Sequence, residues 1–198
     1  WQNDTVLIST GRVAQEKNWP ALLRAVEKAY RKHPELRMAL IGDGPEKSSL
    51  EKLASELEIA DRVTFIGKLP FSDVPMYLKA ADIFAFASVT ETQGLATLEA
   101  MAAGLPVVAV DASGTRDIVD DGKEGFLVPN DADALADAIN RLIESPECVQ
   151  KFHSRALKKA RKFDLKLCAD KLLDVYAQAI RDKANDQYVK IEETSREG

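Results

Sequence analysis

Residues 82–110, DIFAFASVTETQGLATLEAMAAGLPVVAV, contain one full repeat of the pattern that decides the fold. The repeat begins with an apolar predicted strand and a polar loop, and continues into a predicted helix that ends at Gly104, with Pro106 just beyond. A second apolar strand follows over 107–110. Both strands are uninterrupted apolar runs, which is typical of strands that have helices packed on both faces of the sheet.

The same alternation of strand and helix extends through the rest of the chain. Further strands are predicted over 6–10, 37–41, 63–66 and 126–128. Further helices are predicted over 21–32, 50–57, 74–80, 132–143, 146–163 and 164–185. This order predicts an α/β fold: a single Rossmann-like, doubly wound parallel sheet of about six strands, with helices on both faces and a helical C-terminus. We assign residues 1–185 to this domain and residues 186–198 to a polar tail.

The composition limits the class of protein. Hydrophobic residues make up 45% of the 198 residues and charged residues 30%, which excludes a disordered chain. The 27 Lys and Arg against 32 Asp and Glu give a net charge of −5, which argues against a general nucleic-acid binder. No apolar run approaches the roughly 20 residues of a membrane-spanning helix. Cys148 and Cys168 lack metal-ligand spacing, and we expect both to be reduced.

Glycine and polar residues cluster where the predicted strands end. They stand at 11–12, 42–44, 67–68, 88–94 and 111–114. Because ligands bind outside the carboxyl ends of parallel strands, this clustering predicts a crevice for a small molecule. The sequence has no Walker motif, and Lys47 stands where a dinucleotide fingerprint needs its last glycine. A P-loop hydrolase and a standard NAD site are therefore disfavoured, while a phosphate site of another design stays open.

Glu99 is the most informative single residue, because it stands in a predicted helix of small and apolar residues. A carboxylate in such surroundings is costly unless it is hydrogen-bonded. Its partner is either internal, such as a backbone amide or Arg116, or a pair of ligand hydroxyls. Gly94 marks the start of that helix, where free amides suit an anion such as a diphosphate. Arg12 and Lys17 are either solvated or form a clamp for the same phosphates.

These residues together resemble a known family. The segments Thr10-Gly11-Arg12, Glu16-Lys17-Asn18 and Gly42-Asp43-Gly44-Pro45, and the pair Glu91 and Glu99 with seven residues between them, are similar to the C-terminal, donor-binding half of retaining GT-B glycosyltransferases of "group 1" (glycosyltransferase family four-like). The resemblance runs from about residue 6 to about residue 131. Because the chain opens at Trp1 without Met, we expect a fragment that lacks the N-terminal, acceptor-binding domain.

The resemblance implies a role for each matching residue. The catalytic group would be Arg12 and Lys17, which contact the diphosphate of a nucleotide sugar, and Glu91, which holds the sugar. The substrate-binding group would be Gly11, Gly44, Gln93, Gly94, Leu95 and Glu99, the last accepting hydrogen bonds from the ribose hydroxyls. The turn at 42–44 and the loop around 68–69 would line the base pocket. His33 and His153 do not match the family's catalytic histidine and are predicted at the surface.

The resemblance also implies the reaction and its partners. The donor would be a UDP- or GDP-hexose, and the hexose would pass with retention to an acceptor hydroxyl bound by the missing domain, such as that of a glycolipid or polysaccharide precursor of the cell envelope. No metal and no cofactor are expected. The alternative is a non-catalytic, regulatory module that binds a nucleotide sugar. Gln93 stands where many members have an aromatic residue, and the variant Thr90-Glu91-Thr92-Gln93-Gly94 resembles that of diacylglycerol glucosyltransferases.

The predicted location is the cytoplasm, with peripheral contact at the inner face of the membrane as a further hypothesis. That hypothesis rests on a basic run in an otherwise acidic protein: Lys151, Arg155, Lys158, Lys159, Arg161, Lys162 and Lys166. The simpler interpretation of this run is a solvated helix face, and contact with anionic lipid is the alternative.

Overall fold

A computed structural model of the chain describes residue 1 and residues 3–184. Its centre is one six-stranded sheet with the order β3-β2-β1-β4-β5-β6, and every neighbouring pair is parallel. The strands are β1 (Thr5–Thr10), β2 (Leu36–Ile41), β3 (Val63–Gly67), β4 (Ile83–Phe86), β5 (Val107–Val110) and β6 (Gly125–Val128). The predicted fold class is confirmed, and each predicted strand lies within one residue of the observed bounds at either end.

Eight α-helices connect or follow the strands in the described part of the chain. They are α1 (Trp19–Tyr30), α2 (Lys47–Glu56), α3 (Val74–Lys79), α4 (Leu95–Ala102), α5 (Ser113–Arg116), α6 (Ala132–Ile143), α7 (Pro146–Ala160) and α8 (Leu165–Ala184). Short 3-10 turns precede α1 and follow α7. Helix α5 was not predicted, because its Ser-Gly-Thr-Arg sequence has the polar, glycine-containing composition of a loop.

Two apolar cores lie on the two faces of the sheet. Leu7 of β1 belongs to the core with α1, α2 and α6, whereas its neighbours Val6 and Ile8 belong to the core with α3 and α4. Successive side chains of a strand point to opposite faces, so an uninterrupted apolar run fills both cores. Helix α7 contributes Phe152 to the first core and Ala156 to the second. The continuous apolar strands are thus explained by burial on both sides.

Helix α1 begins two residues before its predicted start. Asn18 adopts a left-handed conformation with φ of 53°, and Trp19 and Pro20 form the first turn. Proline is tolerated there because the first amides of a helix have no intrahelical acceptor. The early start places Trp19, which is buried, directly beside the loop that follows β1.

Both histidines are half-buried, so they are less exposed than the predicted surface positions. The side chain of His33 is only 14% exposed and lies 3.4 Å from carboxylate oxygens of Glu35 and Glu144. The ring of His153 packs on Gly104, where an added β-carbon would lie 2.4 Å from the ring. Both imidazoles serve packing between helices and loops, which sequence spacing does not show.

The chain divides into two compact units, residues 1–160 and the residues from 161 onward. The first unit contains the whole sheet and helices α1 to α7. The second contains α8, on which several apolar side chains are exposed, including Leu165, Leu173 and Ile180. Among the described helices, none combines the length and the apolar character needed to cross a membrane. The predicted tail at 186–198 lies outside the described residues.

Candidate functional site

A cleft of about 470 Å³ opens at the carboxyl ends of β1, β2 and β3. It lies beside the neighbours β1 and β4, where the strand order reverses and where ligands bind in open parallel sheets. Its lining residues are Thr10, Gly11, Arg12, Ile41, Gly42, Asp43, Lys68, Leu69, Phe71, Val74, Ala96 and Glu99. The structure therefore brings Gly11, Arg12 and Glu99, three of the predicted site residues, to one cleft.

Two glycines let the loops after β1 and β2 touch through their backbones. A β-carbon added to Gly42 would lie 1.8 Å from the carbonyl oxygen of Gly11, and one added to Gly44 would lie 2.3 Å from that of Val13. Any side chain at either position would force the loops apart. Gly44 packs against Val13 and is not among the residues that line the cleft, so its contact with substrate stays a prediction.

Arg12 presents an uncommitted cation to the cleft. Its side chain is exposed, and within residues 3–184 it makes no hydrogen bond or ion pair, while its carbonyl accepts from the Trp19 indole and the Ala14 amide. A guanidinium offers five donors in a planar fork that matches two phosphate oxygens. The cleft can therefore receive an anion at this side without breaking an existing contact.

Glu99 presents an uncommitted carboxylate to the same cleft. Among the described residues its carboxylate has no hydrogen-bond partner, and Arg116, one predicted partner, pairs with Asp111 at 2.8 Å instead. Glu99 is exposed to the open cleft, yet partial burial raises the pKa of its carboxyl above the ordinary value of 4.5. An acceptor that lacks internal donors is suited to ligand hydroxyls.

Lys17 and Glu91 face each other next to the cleft. The Lys17 ammonium donates to the Glu91 carboxylate, and the two side chains are only 20% and 13% exposed. The ammonium also lies 5.4 Å from the centroid of the Phe86 ring. The Glu91 carbonyl accepts from the Gly114 amide at 2.9 Å and from the Ser113 hydroxyl at 3.2 Å. The structure thus joins the loops after β1, β4 and β5 around this pair.

The N-terminus of α4 begins at Gly94, which has φ of +60°. No side chain caps this end, and the first backbone amide to bond within the helix is that of Leu98, which donates to the Gly94 carbonyl. The amides before it are left for solvent or a ligand, and the helix dipole favours an anion there. Gln93 and Leu95 flank Gly94 and are both exposed.

Two residues near the site were missed by sequence reasoning. Phe71, which is 93% exposed, lines the cleft and also an adjoining apolar cleft of about 240 Å³ between α3 and α4, and Glu99 lines both. The signal available in the sequence was an aromatic residue in the loop between β3 and α3. Trp19 was missed because the spacing of apolar residues predicts a helix that begins at residue 21, after Trp19. No three His, Cys, Asp or Glu side chains of the described residues are placed to hold a metal ion.

Comparison with known proteins gives a family match over most of the chain. The family model described as "Glycosyl transferases group 1" matches residues 2–163. The chain is 35% identical over 144 residues to an alpha-monoglucosyldiacylglycerol synthase of Streptococcus pneumoniae, covering 73% of this chain and 33% of the relative. It is 37% identical over 185 residues to a D-inositol 3-phosphate glycosyltransferase of Saccharomonospora viridis, covering 88% and 43%.

Solved structures share the same architecture. Anabaena Alr3699/HepE in complex with UDP superposes with a TM-score of 0.82 at 28% identity, covering 89% of this chain and 49% of that one. Sucrose-phosphate synthase from Thermosynechococcus elongatus gives a TM-score of 0.82 at 28% identity, covering 90% and 46%. The chain thus spans between a third and a half of the length of these relatives.

Proposed function

Since the chain belongs to the group 1 glycosyltransferases, we propose that residues 1–185 form the domain that binds the nucleotide-sugar donor for glycosyl transfer. The proposal concerns a retaining hexosyltransferase that uses a UDP- or GDP-hexose. The relatives are about twice as long as this chain. Acceptor recognition and the complete reaction are therefore proposed to need sequence beyond these 198 residues.

The observation that carries the proposal is the pair of uncommitted charges in one cleft. Arg12 offers a cation and Glu99 a carboxylate, and neither side chain has a protein partner among the described residues. A nucleoside diphosphate has an anionic diphosphate at one end of its ribose and two hydroxyls on that ribose. Arg12 would bind the diphosphate, and Glu99 would accept from the hydroxyls.

Three further groups would act on the diphosphate and the sugar. Lys17 and the free amides at the start of α4 would share the phosphate charge with Arg12. Glu91 would hold sugar hydroxyls, with the backbone of Gln93, Gly94 and Leu95 beside it. In the transfer, the bond from the anomeric carbon to the diphosphate breaks, a bond to the acceptor oxygen forms, and the proton of the acceptor hydroxyl passes to an oxygen of the departing diphosphate. Positive charge fixed at the departing diphosphate lowers the barrier to this step.

This arrangement is proposed to work without a metal ion or a cofactor, because Arg12, Lys17 and a helix N-terminus supply positive charge at the diphosphate. Nucleotide affinity should then be the same in EDTA and in Mg²⁺. A tenfold or larger loss of affinity in EDTA would contradict metal independence while leaving the nucleotide site intact.

The base is proposed to lie beyond Glu99, against Lys68, Leu69 and Phe71. The structures of Anabaena Alr3699/HepE with UDP and with UDP-glucose support a uridine nucleotide, since both are 28% identical to this chain. The chain is also 34% identical over 149 residues to a "GDP-mannose-dependent" mannosyltransferase of Mycolicibacterium smegmatis. This relative supports a guanosine nucleotide as the other candidate donor.

Calorimetric titration of the chain with UDP, GDP and ADP tests the function. We expect UDP or GDP to bind at least tenfold more tightly than ADP, because the base pocket selects among bases. Failure of all three to bind at millimolar concentration would contradict the proposal. The regulatory alternative predicts nucleotide binding with no transfer by the longest natural protein that contains this chain, so assaying UDP-glucose turnover by that protein separates the two.

We further propose a cytoplasmic protein that touches the inner face of a membrane through the exposed residues Lys151 and Lys158 of α7. The name alpha-monoglucosyldiacylglycerol synthase supports a lipid acceptor for one relative. Two members of the basic run have internal roles instead, since Lys159 pairs with Glu124 and Arg155 donates to the Gly122 carbonyl. We expect the chain to float with anionic vesicles but not with neutral vesicles, and the K151E/K158E variant to lose this flotation. Equal flotation of the variant and the wild-type chain would contradict membrane contact by α7.

A further inference from the structure

The indole ring of Trp19 lies directly behind the loop that carries Arg12 and Lys17. The indole N–H donates to the carbonyl oxygen of Arg12 at 3.0 Å, and the residue is only 2% exposed. The ring edge also lies over Gly11, since a β-carbon added there would be 3.7 Å from Cζ2 of Trp19 and 3.7 Å from Cε of Lys17. One buried ring thus binds the backbone of Arg12 through a hydrogen bond and lies beside Gly11.

We propose that Trp19 is a positioning residue that fixes Arg12 for the diphosphate. The inference rests on the proposed function, because it assigns a role toward the same ligand. Trp19 itself touches no substrate, since it is buried and does not line the cleft. Its action is through the backbone carbonyl of Arg12, to which the indole donates.

The local structure makes Trp19 a rigid support. It opens α1 between Asn18, which is left-handed, and Pro20, and its ring belongs to the core formed with Leu22 and Leu23. The loop that it supports is irregular and contains only a short 3-10 turn at Gln15–Lys17. A loop of this kind gains a defined conformation mainly from contacts with rigid neighbours, and a fixed cation binds an anion with less loss of entropy than a mobile one.

The hydrogen bond to Arg12 is what distinguishes this role from core packing. Trp19→Phe keeps an aromatic ring in the core and removes the indole N–H, leaving the Arg12 carbonyl with the Ala14 amide alone. We expect UDP affinity to fall roughly five- to tenfold, in line with the loss of one buried hydrogen bond. Uridine, which has the base and ribose without phosphate, should bind within twofold of the wild-type affinity. NMR titration measures both affinities in the millimolar range.

Leu23→Val is the matched control, because Leu23 is buried in the same helix and the same core and has no hydrogen-bonding side chain. It should change neither UDP nor uridine affinity by more than twofold. Three results would overturn the proposal: Trp19→Phe leaves UDP affinity unchanged, it weakens UDP and uridine by the same factor, or Leu23→Val reproduces its effect. Absence of UDP and GDP binding by the wild-type chain would instead overturn the proposed function, and this inference with it.

If the Trp19→Phe protein does not fold, a measurement on the wild-type chain tests the same proposal. The chain has two tryptophans, and Trp1→Phe assigns the two indole N–H resonances. UDP should shift the Trp19 indole resonance, because the charge of a diphosphate bound by Arg12 changes the electric field at the hydrogen bond to the Arg12 carbonyl. Uridine, which carries no phosphate, should leave the resonance in place. An unshifted Trp19 indole resonance at UDP saturation would overturn the proposal.

Discussion

The ammonium of Lys17 is paired with the carboxylate of Glu91 across 74 residues of sequence. The pair joins the loop after β1 to the loop after β4, and Lys17 lies over the Phe86 ring at the end of β4. Each residue thus holds the other at the edge of the cleft before a ligand arrives. A phosphate that binds there meets a cation already in place, although it must share that cation with Glu91.

Breaking this pair should destabilise the chain in a coupled way. Lys17→Met and Glu91→Gln should each lower the free energy of unfolding, and a double-mutant cycle should give a coupling of about 1–2 kcal/mol, because both groups are largely buried. Urea denaturation measures the four proteins. The exposed pair Lys28 and Asp133 is the control and should couple much more weakly, because solvent screens it. Equal coupling in the two pairs would contradict a buried, interacting Lys17 and Glu91.

Arg12→Ala should weaken UDP binding by about ten- to a hundredfold, because one charge-assisted bidentate contact is lost. Stability should not change, since the exposed Arg12 side chain has no partner in the described part of the chain. Calorimetry and urea denaturation give the two quantities. Arg24, an exposed arginine on α1, supplies the control Arg24→Ala. If the two variants bind UDP equally, the assignment of Arg12 is wrong.

Glu99→Gln should separate function from stability. UDP affinity should fall about tenfold or more, because an amide is a weaker acceptor for two hydroxyls than a carboxylate. The free energy of unfolding at pH 7 should rise slightly, by less than about 1 kcal/mol, because a partly desolvated charge is removed while the open cleft still screens it. We expect calorimetry to show weaker UDP binding and urea denaturation to show a slightly higher free energy of unfolding. A loss of stability would show instead that Glu99 has a structural partner.

The raised pKa of Glu99 also fixes the sign of a pH dependence. Its carboxyl holds a proton more tightly in the folded chain than in the unfolded chain, so its contribution to stability falls as pH rises from 4.5 through the raised value. UDP affinity relative to Glu99→Gln should rise over the same interval, because the ionised form accepts from the ribose. The ratio of the UDP affinities of the two proteins cancels the effect of phosphate titration, which is common to both. A ratio that does not change between pH 4.5 and 7 would contradict the role of Glu99.

Gly94→Ala should destabilise the chain more than Gly122→Ala. Both glycines have positive φ, +60° and +71°, so alanine costs about 1 kcal/mol or more at either position. Only at Gly94 would the added β-carbon also meet backbone, lying 2.7 Å from the Gly114 carbonyl oxygen. Overpacking should add at least about 1 kcal/mol there, measured by urea denaturation. Equal losses at the two positions would show that the loops after β4 and β5 are not in close contact.

The fold was predictable because its signals are local. Each strand is an apolar run that ends at a glycine or polar loop, and helix α6 was predicted with both ends as observed, since Asp131 caps its start by accepting from the Ala134 amide. The start of α1 and the short helix α5 escaped prediction. Pro20 indicates a helix that begins after it unless the conformation of the turn before it is known. Helix α5 has only four residues, which are too few to show helical periodicity.

The site was only partly predictable, because its contacts join distant segments. Arg12 and Glu99 were assigned to one crevice on the rule that strand ends share an edge, and the structure places both in one cleft. The choice between an internal and an external partner for Glu99 needed the position of Arg116, which pairs with Asp111. The Lys17–Glu91 pair and the Trp19–Arg12 hydrogen bond depend on loop conformations that residue spacing does not encode.

The most direct test of a nucleotide site in this cleft is an NMR footprint of UDP, or of GDP if calorimetry favours it, on the backbone amides of the chain. The shifts should be largest at Gly11, Arg12 and Glu99 and at the first amides of α4. They should be absent from the groove of about 350 Å³ between α1 and α2, lined by Tyr30 and Glu58. Shifts centred on that groove, or no localised shifts at saturation, would contradict the site.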